Sequence, residues 1–431
     1  MNLLKAFVNA FKVPDLRKKI LFTVLIIGVY RLGAHIPTPG IDVQRAQQFS
    51  HGIQGGALSF INLFSGGALT QMAIFALGIM PYITSSIIMQ LLTVVIPKLE
   101  AWSKEGESGY KKITQWTRYL TVMLAIMQST GLAFLFHSGN ITDANNRPVD
   151  LIPHFGPARV GLIVVSLTAG TALIMWLGEL ITTRGVGNGM SILIFTSIVS
   201  RLPSSGHAIL AQKGWGSFSF ILLMGLAVIV AIVIMEQGQR RIPVQYAKRM
   251  VGRRMYGGSS TYIPLKVNQA GVIPIIFASS VLYIPTLLQN VIHNTAIQQF
   301  ISNTLVNSTS PVYMVLYGLM VVFFAYFYTA ITFNPVEVAD NMKQYGGFVP
   351  GIRPGRQTAE YLDRILTRIT LPGAIFIAAI ALLPSIFFAT QNIKQLPFGG
   401  TSILITVGVT LETMKQIESQ LLMRHYEGFL K

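Results

Sequence analysis

The glycine-rich run RGVGNGMS (184–191) is the nearest this sequence comes to a loop that does chemistry. Phosphate-cradling loops space glycines so that backbone N–H groups converge on the anion, then place a lysine and a hydroxyl residue against its charge. Here the Lys-Ser/Thr pair is missing and the run lies between two apolar blocks, so it reads as a flexible turn. No HExxH string and no paired-carboxylate constellation appears, and Glu179, Glu236 and Glu412 fall near the ends of apolar blocks. The seven histidines, His35 and His293 among them, look interfacial or loop-borne and suggest no metal site. The absence of cysteine excludes disulfides, thiolate metal sites and a thiol nucleophile. The expectation is a protein that is no enzyme and carries no cofactor.

The residues that recur in a pattern are aliphatic. GMSILIFTSI (189–198) returns as GTSILITVGV (400–409), and GIMPYITSS (78–86) returns as GVIPIIFASS (271–280). These two echoes in the same order suggest a chain built twice. Their alignment makes Ile83 equivalent to Ile276 and Ile194 equivalent to Ile405, while Ile79 and Met190 lie one helical turn from Ile83 and Ile194. The six either pack an ordinary core or meet at an axis between the repeats. At an axis they would form a greasy ring that excludes ions by dewetting, without any charge.

The elements that must position these residues are long. Hydrophobic residues make up 52% of the 431, charged residues only 11%, and mean hydropathy is +0.55. A soluble chain of this length needs more charge to cover its surface. Several apolar blocks reach the roughly 20 residues that cross ~30 Å of hydrocarbon. Ten spans are expected, at 20–36, 71–97, 116–137, 157–178, 188–201, 217–235, 268–289, 312–333, 369–388 and 399–418. The first follows a basic lead (1–19) whose Leu3, Phe7 and Phe11 share a helical face suited to a membrane surface. It reads as an uncleaved span because AHIPTPG stands where a cleavage site would be. Intramembrane carboxylates, which ion-coupled transporters ordinarily carry, are nearly absent. That counts against a small-solute transporter, the leading rival reading, and against a membrane-embedded enzyme.

Lys and Arg concentrate in alternate connections, whereas the loop 290–311 has none. The positive-inside rule then puts both termini in the cytoplasm, and most of the net charge of +17 lies on that face. With an odd number of spans in each half, the two halves are inverted, a design that places function at their midplane interface. The expected divisions are an amphipathic segment 1–19, a first half 20–201, an external loop and sixth span 202–235, a basic loop 236–267, two spans in 268–333, a second basic loop 334–368, two spans in 369–418, and a tail 419–431.

Pro81 and Pro274 occupy matching repeat positions and would kink their helices. Thr84, Ser85 and Ser86 follow one, and Ser279 and Ser280 the other. These small residues either serve ordinary close packing, the reading they favour by themselves, or let the helices part sideways into lipid. GGALSFINLFSGGAL (55–69) is too short to span and reads as a small re-entrant helix, a stopper whose Phe60, Ile61, Leu63 and Phe64 would be poorly placed in water. Between spans 6 and 7 the alternation around MYGGSS suggests a protruding hairpin bearing Arg240, Arg241, Lys248, Arg249, Arg253 and Arg254. The loop 334–368 reads as helix, Gly/Pro-rich turn and helix. The charges of both loops either only fix topology or dock acidic protein or RNA phosphates, and a structured loop leans toward docking.

FALGIMPYITSSIIMQ, EGESGYKKITQWTRY, GVGNGMSILIF, PLKVNQAGVIPIIFASS and GFVPGIRPGRQT together resemble the bacterial SecY family of Sec translocon channels, along essentially the whole chain. That resemblance implies an all-α membrane protein with ten transmembrane helices in two inverted five-helix halves around a central hourglass pore. It implies export of unfolded preproteins and sideways release of apolar segments at the plasma membrane. It assigns a pore ring to Ile79, Ile83, Met190, Ile194, Ile276 and Ile405, with Met190 where many relatives carry Ile, and a plug to about 57–67. A lateral gate would include Pro81, Thr84, Ser85, Gln90, Gln128, Pro274, Ser280 and Ile284. Arg353 of PGIRPG, with Arg356 nearby, would serve cytoplasmic docking. The partners implied are SecE, SecG, the SecA ATPase, the ribosome with its rRNA and proteins, signal sequences and membrane lipid.

Overall fold

A computed structural model describes residues 11, 13–41, 62, 64–137, 152, 155–246, 249–251, 254–256, 260–291, 299–301, 304–305, 310–391 and 400–427. The long apolar runs fold as helices, which satisfy every backbone polar group without water. In chain order these are α1 (Pro14–Gly33), α2 (Met80–Val95), α3 (Pro97–Lys104), α4 (Glu107–His137), α5 (Pro157–Arg184) and α6 (Gly189–Val199). The second set is α7 (Leu202–Gln237), α8 (Ile273–Val291), α9 (Pro311–Thr332), α10 (Pro335–Gln344), α11 (Arg356–Gln391) and α12 (Gly400–Glu427). Each of the ten expected spans therefore carries a helix. Among the described residues, four helices are long and apolar enough to cross a membrane, and five if the bent pair α2–α3 is one span.

Proline starts many of these helices, because its fixed φ suits the first turn and its missing N–H is unneeded there. Pro14, Pro157 and Pro311 open α1, α5 and α9. The same rule corrects the expected kinks. Pro81 lies in the first turn of α2 and Pro274 is the second residue of α8, so both launch their helices instead of bending them. The interior proline of α8 is Pro285.

The second span is also shorter than its apolar run. Residues 71–79 are turns, with Met72 at φ 49° and Gly78 at φ 57°, and left-handed backbone at both points cannot continue a helix. At its other end α2 stops at Ile96, held extended by the proline after it, and the chain bends by 100° into α3. Residues 202–213, expected as a loop, are helical up to a break at Gly214. Of the N-terminal surface segment, Leu3, Phe7 and Lys12 lie outside the described residues, while Phe11 is exposed.

Three buried clusters organise the helices. One joins Leu69, Met72 and Leu77 to α4 and α5, and another joins α7, α8, α9, α11 and α12. The third, described below, draws on both halves of the chain. Glycine also allows close approach to the turns before α2: a Cβ on Gly170 of α5 would lie 2.1 Å from the Ile74 carbonyl oxygen.

The two basic loops form one unit. Strands β1 (Gln239–Tyr246) and β4 (Ser260–Lys266) pair antiparallel, with β2 (Arg249–Val251) and β3 (Arg254–Tyr256) as a second short pair between them, matching the expected hairpin. The second loop is helix, turn and helix, as expected from its composition. Its β5 (Gly347–Phe348) also joins the free edge of β1, giving the order β4-β1-β5. Ile242, Val244, Leu265, Met342, Leu362 and Ile365 form the shared core beneath.

Gly170→Val should lower the melting temperature of the detergent-solubilised protein, by about 1–3 kcal/mol of overpacking. Tryptophan fluorescence melting checks it, and an unchanged midpoint would mean that α5 does not rest against the Ile74 backbone.

Candidate functional site

The six repeated aliphatics belong to one buried cluster. Ile79 and Ile405 are each 1% exposed, and Ile83, Met190, Ile194 and Ile276 do not exceed 9%. Ile79 caps α2 and Ile83 lies within it, Met190 and Ile194 come from α6, Ile276 from α8 and Ile405 from α12. The structure thus brings together residues as distant in sequence as 79 and 405.

Local chemistry seats the α6 pair. The Asn188 side-chain oxygen accepts from the backbone N–H groups of Met190 (3.1 Å) and Ser191 (3.3 Å), filling the orphan donors of the helix start. Thr182 Oγ1 accepts from Gly189 N at 2.9 Å. A Cβ on Gly189 would lie 1.9 Å from the Gly178 carbonyl oxygen, and one on Gly178 would lie 2.4 Å from Met190 Sδ. The glycines of RGVGNGMS therefore permit a tight crossing of α5 and α6. The run is a turn, but it is pinned by side chains and is not the flexible one its composition suggested.

The described end of the expected stopper joins this cluster. Phe64 is fully buried within the cluster, whereas Phe60, Ile61 and Leu63 lie outside the described residues. A Cβ on Gly78 would come within 2.9 Å of Ser65 Cα, so the backbone after Phe64 runs directly over the residue preceding Ile79.

The expected side exit has consistent polarity. Thr84 and Ser85 donate to the carbonyls of Met80 (3.0 Å) and Pro81 (2.8 Å), and Ser280 donates to Ile276 (2.8 Å). Each hydroxyl is thereby satisfied within its own helix. Pro81 and Pro274 are buried, Gln128 on α4 is buried and Gln90 on α2 is exposed, so the two glutamines lie in different environments. Ile284 falls on α8, and its side chain lies outside the description. Sequence reasoning missed Ile87, which packs against both the two-sided cluster and the cluster of the second half, as does Val272. Ile87 lies four residues beyond Ile83, so helical spacing was the available signal.

Arg240, Arg241, Arg353 and Arg356 occupy exposed positions of the two-loop unit. Arg240 and Arg241 project from β1, and the Arg241 guanidinium stacks 4.8 Å above the Tyr262 ring. Arg249 and Arg254 fall on the short hairpin, while Lys248 and Arg253 lie outside the described residues. Arg353 is exposed on the turn before α11, where its carbonyl accepts from Thr358 Oγ1 at 2.9 Å. Arg356 is exposed beside Glu360 at 2.9 Å. Gly351 at φ 82° and Gly355 at φ 98° flank Arg353 and shape that turn.

A mostly helical membrane protein, with a buried aliphatic waist shared by two halves, is the class defined by this arrangement. The SecY family model matches residues 73–414, and the chain belongs to that family. It is 57% identical to the protein translocase subunit SecY of Streptomyces coelicolor and 52% identical to that of Mycobacterium tuberculosis, over all of each chain. Among solved structures it is similar to one described as "The structure of a protein conducting channel" (TM-score 0.62, 16% identity, 94% of this chain and 92% of that one). It is also similar to canine Sec61 in a ribosome-channel complex (TM-score 0.59, 16% identity, 94% and 92%). The fold is that of the SecY and Sec61 channels.

Asn188→Ala should cost about 1 kcal/mol by removing the α6 cap, while Asn188→Asp retains most of it. Thermal melting of the two variants side by side checks this, and equal midpoints would remove the capping role.

Proposed function

We propose that this chain forms a protein-conducting channel, passing unfolded preproteins across the plasma membrane and releasing apolar segments sideways into lipid. The observation that carries this reading is the single buried cluster holding all six repeated aliphatics from α2, α6, α8 and α12. As a pore ring, such a waist holds back ions because an apolar constriction sheds water. Its aliphatic side chains offer a passing polypeptide no fixed hydrogen bond, so the same ring accommodates any sequence. The described end of the segment 57–67 supports a plug on one side of it, and a related SecY structure is described as having a plug domain that stabilises the closed state.

The lateral gate in this reading runs between α2–α4 and α8–α9. The hydroxyls of Thr84, Ser85 and Ser280 bond to their own helices, so parting these helices leaves those groups satisfied. The distribution of Lys and Arg orients both termini and the two-loop unit toward the cytoplasm. There the exposed arginines suit acidic protein surfaces and rRNA phosphates. Solved relatives include channel complexes on ribosomes, which supports a ribosome as partner. By family, SecE and SecG are companion subunits and the SecA ATPase is the motor, which supplies energy that the channel does not.

Replacing Ile83, Ile276 and Ile405 together with Asn should raise the resting ion conductance of reconstituted vesicles and admit precursors with defective signals. Native conductance and stringency in that variant would defeat the ring. Arg353→Glu should leave the melting temperature unchanged and reduce ATP-driven precursor import to near background; native import rates would reduce the turn to a topology signal.

A further inference from the structure

Arg31 stands in the last turn of α1, within an otherwise apolar span, and is half-buried. A guanidinium in that setting is costly and persists where it bonds to something functional. Its Nη1 donates to the Gly66 carbonyl oxygen at 3.2 Å and to Ser200 Oγ at 2.9 Å. One side chain therefore joins α1, the end of α6 and the backbone two residues after Phe64. The contact is extended on the α6 side, where Ser200 Oγ donates to the Ser197 carbonyl (2.9 Å) and Ser197 Oγ meets the Tyr30 hydroxyl at 2.6 Å. Gly66 is at φ 64°, and a Cβ there would lie 3.0 Å from Ser197 Cα, so the segment is seated as closely as backbone allows.

Against this tie stands a weakness in the same segment. Asn62 is 3% exposed and its Oδ1 has no hydrogen-bond partner among the described residues. A buried, unpaired acceptor disfavours the seated position and would be relieved by water once the segment moves.

We infer that Arg31 is a positioning residue that sets the stringency of the closed channel, holding the segment at Gly66 against α6 while the unpaired Asn62 biases it toward release. The inference rests on the channel reading above. It makes two substitutions act in opposite directions, which general destabilisation does not.

The test uses the full chain reconstituted in liposomes with its companion subunits and motor. The readouts are resting ion leak and import of one precursor with an intact signal and one with a defective signal. Arg31→Gln should raise the leak about tenfold, as expected for losing hydrogen bonds from a charged donor, and should admit the defective precursor. Arg31→Lys, which keeps the charge on a head group of different reach and geometry, should fall between that variant and the native protein. Asn62→Leu should lower the leak and tighten discrimination. A native leak in Arg31→Gln, or a rise in both Arg31→Gln and Asn62→Leu, overturns the inference. Native protein that imports no intact precursor overturns the channel reading itself, a result distinct from either.

Discussion

The two halves of this chain close on each other through aliphatic contact. Ile79, Ile83, Met190 and Ile194 from the first half share one buried cluster with Ile276 and Ile405 from the second, and Ile87 and Val272 extend it towards the neighbouring cluster. Apolar contact is non-directional, so its strength follows buried area and tolerates sliding. A seam of that kind has no particular bond geometry to recover when its side chains shift, although each exposed area costs free energy. The hydroxyls of Thr84, Ser85 and Ser280 preserve this property by turning back onto their own helices.

A soft seam needs stiff supports, and these are built from backbone. Gly189 lies against the Gly178 carbonyl, Gly78 against Ser65 and Gly170 against Ile74, at separations where no larger residue fits. Asn188 and Thr182 then fix the start of α6, so Met190 enters the cluster from a single direction. The two-loop unit follows the same rule. A Cβ on Gly373 of α11 would lie 2.5 Å from the Val267 carbonyl oxygen, which packs the turn after β4 against a helix of the second half.

Much of this was legible in the sequence because spans are long and the repeats share local strings. Apolar run length places a helix in each of the ten expected spans, and the echoes align Ile83 with Ile276 and Ile194 with Ile405. The errors arose where apolarity and helicity diverge. Residues 71–79 are as apolar as a span, yet left-handed Met72 and Gly78 make them turns. With that stretch removed, Pro81 becomes the start of α2 and ceases to be a kink. Pairing of β5 with β1 and the Arg31 contacts were invisible for another reason. They join positions separated by about a hundred residues or more in one case, and by 35 and 169 in the other, and nothing in either local string specifies the partner.

Two arginines on the apolar helices, Arg118 and Arg31, differ in the acceptors they meet. Arg118 on α4 makes two bonds to the Glu179 carboxylate of α5, at 2.8 and 2.7 Å. A bidentate ion pair is geometrically fixed and costly to break by removing one partner, which suits two helices that stay together. Arg31 bonds instead to a carbonyl and a hydroxyl, both neutral. Neutral acceptors hold a guanidinium less tightly than a carboxylate does, and separation leaves no buried anion behind. In this chain it is the second kind of contact that touches the backbone two residues after Phe64.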